Sequence, residues 1–314
     1  MSKAAPSADW ARQRERSNLW VLRLMRTIAV HAGRPVARLV LHPIALYFLL
    51  ANGRARRASR QYLTQALGRP AGWRDGYRHI HSFAATVLDR VYLLRGMLSQ
   101  FHFDTRNMQQ VEAVLAEGQG VMLIGAHLGS FEALRAAAQG VGTRAAMLMY
   151  EDNARLINAT LQAIAPEAQL HTIALGRPGA MLALRRWLQD GGLAGLLADR
   201  TLPGASGRSR PRMLPFLGRP APFSDGPLRL AAMLRQRVFC MAGLYHGGRH
   251  YSLRFEPLAD FRAVAPDRLD AEIEAALGRY VAWLESLCRE APYNWFNFYD
   301  FWQSDANTHA APPP

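Results

Sequence analysis

A histidine and a glutamate five positions apart are the residues best suited to carry out chemistry in this sequence. They lie in Val121–Ala133 (VMLIGAHLGSFEA), where an apolar run ends, His127 follows it, and Glu132 falls in the first turns of an expected helix. A histidine titrates near neutral pH and can remove a proton from an attacking hydroxyl. A carboxylate on its other ring nitrogen fixes the tautomer and stabilises the imidazolium. Because Gly129 allows a tight turn between them, we predict a catalytic His127–Glu132 dyad.

Ser130 lies in the same turn and offers a second use of the histidine. The local sequence is LGSFE rather than the GxSxG nucleophile elbow. We therefore expect the base to act directly on a hydroxyl or amine of the substrate, with no acyl-enzyme. A serine hydrolase that uses Ser130 as nucleophile stays an alternative. A third interpretation is structural, with His127 capping the helix and Glu132 complementing its dipole.

The elements around this motif alternate between short apolar runs and helical patterns, which is typical of an α/β fold. We predict a central sheet, mostly parallel or mixed, flanked by helices, and functional residues beyond the carboxyl ends of its strands. The predicted strands are Val121–Gly125, Ala145–Tyr150, His171–Leu175, Leu193–Ala198, Val238–Gly243 and Tyr251–Phe255. The predicted helices lie near 107–117, 130–141, 152–164, 178–190, 224–236 and 267–290, and 201–223 is expected to be a long loop.

The first third of the chain is strongly basic and helical in pattern. Residues 1–106 hold 18 basic and 5 acidic residues, whereas the remaining 20 basic and 19 acidic residues nearly balance. The arginines flank bulky apolar residues, which favours an anionic membrane surface over nucleic acid as the partner. The helical patterns run through 17–32, 36–51, 54–66 and 74–98. Pro43 should interrupt the second of these, so we expect no membrane span there. The start of the chain also lacks the pattern of a signal peptide. We therefore expect a monotopic protein on the cytoplasmic side of a membrane. A non-enzymatic protein that binds anionic membranes or nucleic acid stays an alternative.

These observations divide the 314 residues into four parts. We predict a flexible N-terminus at 1–16, a basic helical membrane-associating region at 17–106, an α/β catalytic domain at 107–303 and a disordered tail at 304–314. The two cysteines form no CxxC pair, which argues against a disulfide framework or a thiolate zinc site. The histidine pairs 79/81 and 246/250 lack a third ligand, so we predict no metal.

The motif GAHLGSFE resembles the HX4D/E motif of the lysophospholipid acyltransferase superfamily, and residues 20–302 resemble more closely the bacterial lipid A secondary (late) acyltransferases. Four further blocks carry the likeness: Tyr150–Asn153, Leu196–Arg200 (LLADR), Leu214–Gly218 (LPFLG) and Pro292–Trp302 (PYNWFNFYDFW). The resemblance implies a glycerolipid acyltransferase-like fold, an acyl-ACP or acyl-CoA donor and a membrane lipid acceptor. It also implies a lauroyl- or myristoyl-transferring type of enzyme at the inner membrane.

The sequence departs from the pattern of these enzymes at two places. Asp199 is followed by Arg200 where the family usually has glutamine. The C-terminal ending is also unusual, with Asn294, Asn297, Tyr299 and Asp300. In these departures the chain resembles a divergent branch of the family, which leaves the identity of the acceptor lipid open. The aromatic ending either lines an acyl tunnel or packs in the core.

The expected substrate-binding residues surround the dyad: Gly129, Ser130, Tyr150, Asn153, Asp199, Arg200, Phe216 and Gly218. Arg200 suits a phosphate group of the donor or acceptor, or alternatively forms an ion pair with Asp199. The backbone amides at Gly129–Ser130 or the Arg200 side chain are expected to stabilise the oxyanion. We expect Arg208, Arg210 and Arg212 either to recruit an acidic carrier protein or to be solvated. Because a thioester is already activated, no cofactor is expected.

Overall fold

The computed structural model describes residues 26–140, 143–150, 171–200 and 211–302. Its helices are α1 (Gly33–Ala51), α2 (Gly53–Leu67), α3 (Trp73–Leu94), α4 (Met108–Ala116), α5 (Phe131–Gly140), α6 (Ala180–Gln189), α7 (Gly226–Met233) and α8 (Leu269–Glu290). Its strands are β1 (His102–Arg106), β2 (Val121–Gly125), β3 (Ala145–Tyr150), β4 (His171–Leu175), β5 (Leu193–Leu197), β6 (Arg212–Phe216), β7 (Arg219–Phe223), β8 (Arg237–Gly247) and β9 (His250–Asp260). Asn153, Arg208, Arg210, the predicted helix at 152–164, and the predicted termini at 1–16 and 304–314 lie outside the described residues.

A seven-stranded mixed sheet forms the centre of the molecule, in the order β1-β9-β8-β2-β5-β3-β4. The five strands from β8 to β4 run parallel, and β9 and β1 complete one edge in the opposite direction. Successive side chains of β2 enter different cores: Met122 and Ile124 pack with α6, α7 and α8, whereas Val121 and Leu123 pack with α3, α4 and α5. The predicted α/β class, with a sheet flanked by helices and a helical N-terminal region, is confirmed.

Two elements contradict the sequence-based prediction. The first is β1, which has the sequence HFDTR and is mostly exposed, so no apolar run marked it. The second is the hairpin of β6 and β7, which occupies most of the expected loop at 201–223. Its turn has positive φ at Leu217 (51°) and Gly218 (79°), as in a type I′ turn. The prolines in these strands suggested a loop, but an isolated two-stranded ribbon tolerates proline because each strand is an edge.

The helix α1 passes through Pro43 without a break, so the interruption that we expected is wrong. Proline removes one backbone hydrogen bond from the helix. The helix is nevertheless stabilised by one buried face, which packs against the protein through Ala37, Leu41, Ala45 and Leu49. Within the described part of the chain, α1 is the one helix long and apolar enough to cross a membrane, and 28% of it is buried in the protein. The opposite face exposes apolar side chains: Val36, Leu39, Leu46, Tyr47 and Leu50.

A buried ion pair fastens the start of α1 to the rest of the protein. Arg34 donates from Nε to Asp89 Oδ1 (2.8 Å) and from Nη2 to Asp89 Oδ2 (3.0 Å), and Tyr251 donates to the same Oδ2 (2.9 Å). Asp89 is completely buried, which raises its pKa, while the Arg34 guanidinium acts in the opposite direction. The three residues therefore join α1, α3 and β9 at one point.

We expect Arg34→Ala to lower the free energy of unfolding by about 3–5 kcal/mol, because it leaves a buried carboxylate without its cation. The matched control is Arg106→Ala, since Arg106 lies 3.7 Å from Asp104 in an exposed pair and its loss should cost under about 1 kcal/mol. Urea unfolding followed by tryptophan fluorescence measures both variants. Equal losses would show that the buried pair does not anchor α1.

Candidate active site

The parallel register of β2 and β5 brings two functional side chains to the same sheet edge. Gly125 at the end of β2 lies opposite Leu197 at the end of β5. His127 and Asp199 each follow two residues later, and His127 Nδ1 lies 2.8 Å from Asp199 Oδ1. The histidine that the sequence indicated therefore has its carboxylate partner on the neighbouring strand, 72 positions along the chain.

The protonation state of this pair follows from its surroundings. Burial by itself raises the pKa of Asp199, but His127, Arg200 and the indole N–H of Trp295 outweigh it and hold that pKa at about 2. An ionised carboxylate only accepts hydrogen bonds, so His127 Nδ1 carries the proton and donates it. In a neutral imidazole ring the lone pair then lies on Nε2, which has no hydrogen-bond partner within the described residues, and the His127 side chain is 32% exposed. The ring is thus oriented to accept a proton at Nε2.

The structure does not form the contact that we predicted between His127 and Glu132. The carboxylate of Glu132 lies in an ion pair with Arg90 of α3, at 2.7 Å between Oε1 and Nε, and accepts a hydrogen bond from Ser130 (3.4 Å). Among the described residues, neither a hydrogen bond nor an ion pair joins Glu132 to the His127 ring. Sequence spacing could not reveal this, because the competing partners come from α3 and β5. A catalytic role for Glu132 stays a prediction.

Ser130 has no contact that would make it a nucleophile. Its side chain is 2% exposed, and its hydroxyl accepts from the backbone N–H of Ala133 (3.2 Å) while donating to Glu132. Within the described chain it has no hydrogen bond to His127, which a serine hydrolase needs. The geometry therefore favours the direct-transfer interpretation over the serine alternative.

The turn after β2 is fixed by two glycines in direct contact. Gly129 has φ of +71°, and a Cβ built on it would lie 1.9 Å from the carbonyl oxygen of Gly243 in β8. The backbone N–H of Ser130 donates to that carbonyl (2.8 Å), and the N–H of Gly129 donates to Asn294 (2.9 Å). These two amides are therefore already used within the protein, and an oxyanion site formed by backbone amides near Gly129–Ser130 stays a prediction. Gly129 allows the turn to pack against β8.

The C-terminal segment completes the site in a way that sequence reasoning missed. Trp295 donates from its indole Nε1 to Asp199 Oδ2 (2.9 Å), and the N–H of Phe296 donates to the carbonyl of His127 (2.8 Å). Asn294 exchanges hydrogen bonds between its side-chain amide and the backbone of Tyr245 (2.7 and 3.0 Å). The aromatic ending was a visible signal, but only the fold shows which acceptors its polar atoms meet.

The remaining predicted residues have different surroundings. Arg200 is exposed beside the site, with its guanidinium 5.6 Å from the Tyr299 ring centre. Phe216 is fully buried, with its ring 5.3 Å from that of Trp295, so it supports the tryptophan from within the core. Gly218 forms the β6–β7 turn, and a Cβ there would meet nothing within 4 Å, which indicates a conformational role.

Two further expectations concern Tyr150 and the loop arginines. Tyr150 is the last residue of β3, where its backbone lies opposite Leu175, and Asn153 is outside the described residues. Arg212 pairs with Glu274 (2.8 Å) and lies 3.8 Å from Asp225. A guanidinium held by two carboxylates is less suited to recruiting an acidic carrier protein than a solvated one.

Comparison with known proteins agrees with this geometry. The sequence profile of the bacterial lipid A biosynthesis acyltransferases matches residues 91–304, which include the whole sheet and the segment that closes the site. A search of curated proteins found no significant match. The match covers more than half of the chain, and the chain belongs to this family. The protein is accordingly an acyltransferase of lipid biosynthesis that acts on a lipid.

We expect Gly129→Ala to destabilise the protein by about 3–5 kcal/mol, for two reasons. Alanine is strained at a positive φ, and its Cβ would clash with the backbone carbonyl of Gly243. Gly218→Ala is the matched control, since it has a similar positive φ but open space, and should cost about 1–2 kcal/mol. Thermal unfolding of both variants measures the difference. If the two substitutions cost the same, the contact between Gly129 and β8 is not tight.

Proposed function

We propose that the protein transfers a fatty acyl chain from the thioester of acyl-ACP, or of acyl-CoA, to a hydroxyl or amine of a membrane lipid or glycolipid. The observation that carries the proposal is the orientation of His127. Its Nδ1 is held by the buried, ionised Asp199, and its Nε2 is open to a substrate. The family supports transfer of an acyl group to a lipid.

In the proposed reaction, Nε2 of His127 removes the proton from the acceptor's hydroxyl or amine as that group attacks the thioester carbonyl. Asp199 stabilises the resulting imidazolium and remains ionised. The tetrahedral oxyanion then collapses, the carbon–sulfur bond breaks, and the imidazolium returns its proton to the leaving thiolate. No acyl-enzyme forms, in agreement with the buried and differently bonded Ser130.

Arg200 is our candidate for the positive charge that this reaction needs. It is exposed next to the Asp199–His127 pair and lies over the Tyr299 ring. A guanidinium at this place suits either the oxyanion or a phosphate of the donor or acceptor. Since the amides of Gly129 and Ser130 are occupied, we assign these tasks to Arg200 within the described part of the chain.

The N-terminal helices support a location on the cytoplasmic face of the inner membrane. One face of α1 packs on the protein, and the other exposes large apolar side chains, as expected for a helix that lies in a membrane interface. The next helix, α2, contains no acidic residue and exposes Arg54, Arg57 and Arg60. Such arginines attract anionic lipids. We therefore propose a monotopic attachment in which α1 lies along the surface, and no nucleic-acid partner.

We expect Asp199→Asn to lower kcat for acyl transfer about 10³–10⁴-fold, because the neutral amide can no longer hold the His127 tautomer. His127→Ala should be equally inactive, whereas Glu132→Gln should lose less because Glu132 contacts Arg90. Glu117→Gln serves as a carboxylate control, since Glu117 follows α4 before the start of β2 and pairs with Arg237. The assay follows acyl transfer from acyl-ACP and acyl-CoA to extracted membrane lipids by mass spectrometry. A larger loss of kcat for Glu132→Gln than for Asp199→Asn would support the originally predicted His127–Glu132 dyad.

The acceptor itself is found by comparing lipid extracts of a deletion strain with those of the strain complemented by the wild-type chain or His127→Ala. The proposal expects a lipid species lighter by one acyl group in the deletion and His127→Ala strains. Identical lipid profiles in all strains would contradict it.

We expect Leu46→Asp to weaken binding of the full chain to vesicles rich in phosphatidylglycerol about tenfold or more, since it places a charge on the apolar face of α1. Met233→Asp, at a 65% exposed apolar residue of α7, should leave binding unchanged. Vesicle sedimentation at low and high salt measures the apolar and electrostatic contributions. Tight, salt-sensitive binding to DNA with no binding to vesicles would favour the nucleic-acid alternative.

A further inference from the structure

A line of hydrogen bonds, joined through the covalent structure of Trp295, runs from the N-terminal helices to His127. Ser59 Oγ of α2 lies 2.8 Å from His79 Nδ1 of α3, and His79 Nε2 lies 2.8 Å from the carbonyl oxygen of Trp295. The Trp295 indole then contacts Asp199 (2.9 Å), which contacts His127 (2.8 Å). The first four residues of this line are at most 2% exposed.

The direction of each hydrogen bond can be assigned from its chemistry. A backbone carbonyl only accepts, so His79 Nε2 carries the proton and donates it to Trp295. His79 Nδ1 is therefore an acceptor, and the Ser59 hydroxyl donates to it. Burial lowers the pKa of His79 to about 4, despite the opposing effect of the Trp295 carbonyl, which agrees with a neutral ring. Ser59 thus selects the tautomer that holds the Trp295 backbone.

Packing leaves Trp295 little freedom to move. Its ring is fully buried and meets the rings of Tyr62 (4.9 Å), Phe301 (4.9 Å) and Phe216 (5.3 Å) edge-on. The indole N–H is the donor that the structure provides for Asp199 Oδ2, while Oδ1 faces His127. Without that donor, the carboxylate would keep one buried oxygen unpaired and would be free to rotate.

We propose that Trp295 is a positioning residue for the Asp199–His127 pair, and that Ser59 and His79 hold Trp295 in place for this task. The inference rests on the proposed function, in which His127 acts as the base. It assigns α2 and α3 a part in building the active site, in addition to any contact with the membrane. The line acts through Asp199 and does not touch substrate.

The decisive variant is Trp295→Phe, which keeps an aromatic ring and removes the indole N–H. We expect kcat to fall about ten- to a hundredfold with KM nearly unchanged. This is the effect of losing a residue that orients a catalytic group without contacting the substrate. The acid limb of the kcat/KM profile should move to higher pH, because an Asp199 carboxylate without this donor stabilises the His127 imidazolium more strongly. Trp283→Phe is the matched control, since the Trp283 N–H is buried without a hydrogen-bond partner among the described residues.

Variants of His79 test the same line from its other end. His79→Leu removes the donor to Trp295 and should lower kcat, while His79→Gln keeps an amide N–H at this position and should recover most of the activity. Ser59→Ala should have a smaller effect in the same direction, because it frees the His79 tautomer without removing the ring. These variants decide the question even if Trp295→Phe fails to fold.

A readout that does not need activity is the titration of the His127 ring, followed by NMR in histidine-labelled protein and assigned by its loss in His127→Ala. The proposal expects an upward shift in Trp295→Phe and none in Trp283→Phe. A wild-type titration and a wild-type kcat in folded Trp295→Phe would overturn it. Absence of acyl transfer by the wild type would overturn the proposed function instead. In that case the NMR titration of His127 would still test whether Trp295 positions the Asp199–His127 pair.

Discussion

The hydrogen-bonded pair of Asp199 and His127 is the constraint on which the rest of the site depends. A carboxylate that is 2% exposed is stable in its charged form only when both oxygens have donors. One donor is the imidazole and the other is the indole of Trp295. Because the charge is satisfied from two sides, the imidazole is held in one tautomer with its outer nitrogen open. The contact of Phe216 with the Trp295 ring and the hydrogen bond from Phe296 to His127 help to keep these three groups in place.

Two parts of the chain meet the end of β5 at this pair, and both are held by backbone hydrogen bonds. The turn after β2 rests on β8 through Gly129 and Gly243, which approach too closely for any side chain. The C-terminal segment runs along the same turn, with hydrogen bonds from Gly129 to Asn294 and from Phe296 to His127. The side-chain amide of Asn294 fastens this segment to β8 through the backbone of Tyr245. The C-terminal segment is therefore integrated into the site.

The N-terminal helices combine two physical roles. Their outer surface carries the exposed apolar face of α1 and the arginines of α2, which suit a membrane interface. Their inner surface supplies the Arg34–Asp89 pair and the buried Ser59–His79 contact. Under the attachment proposed above, the same helices bring the active site close to the membrane lipids. Arg90 of α3 also holds Glu132, so the glutamate of the motif connects the two parts of the molecule.

The sequence by itself determined the α/β class, most strands of the parallel sheet and the position of His127 at a strand end. These follow from local patterns: an apolar run such as Val121–Gly125 requires burial on both faces, and a strand end places its next residues at the sheet edge. The tertiary structure alone decided which carboxylate meets the histidine. The pairing depends on the register of β2 with β5, which brings Asp199 to the ring, and on Arg90, which takes Glu132 away from it. The role of Trp295 was hidden for the same reason, since a hydrogen bond between distant segments leaves no periodicity or spacing in the chain.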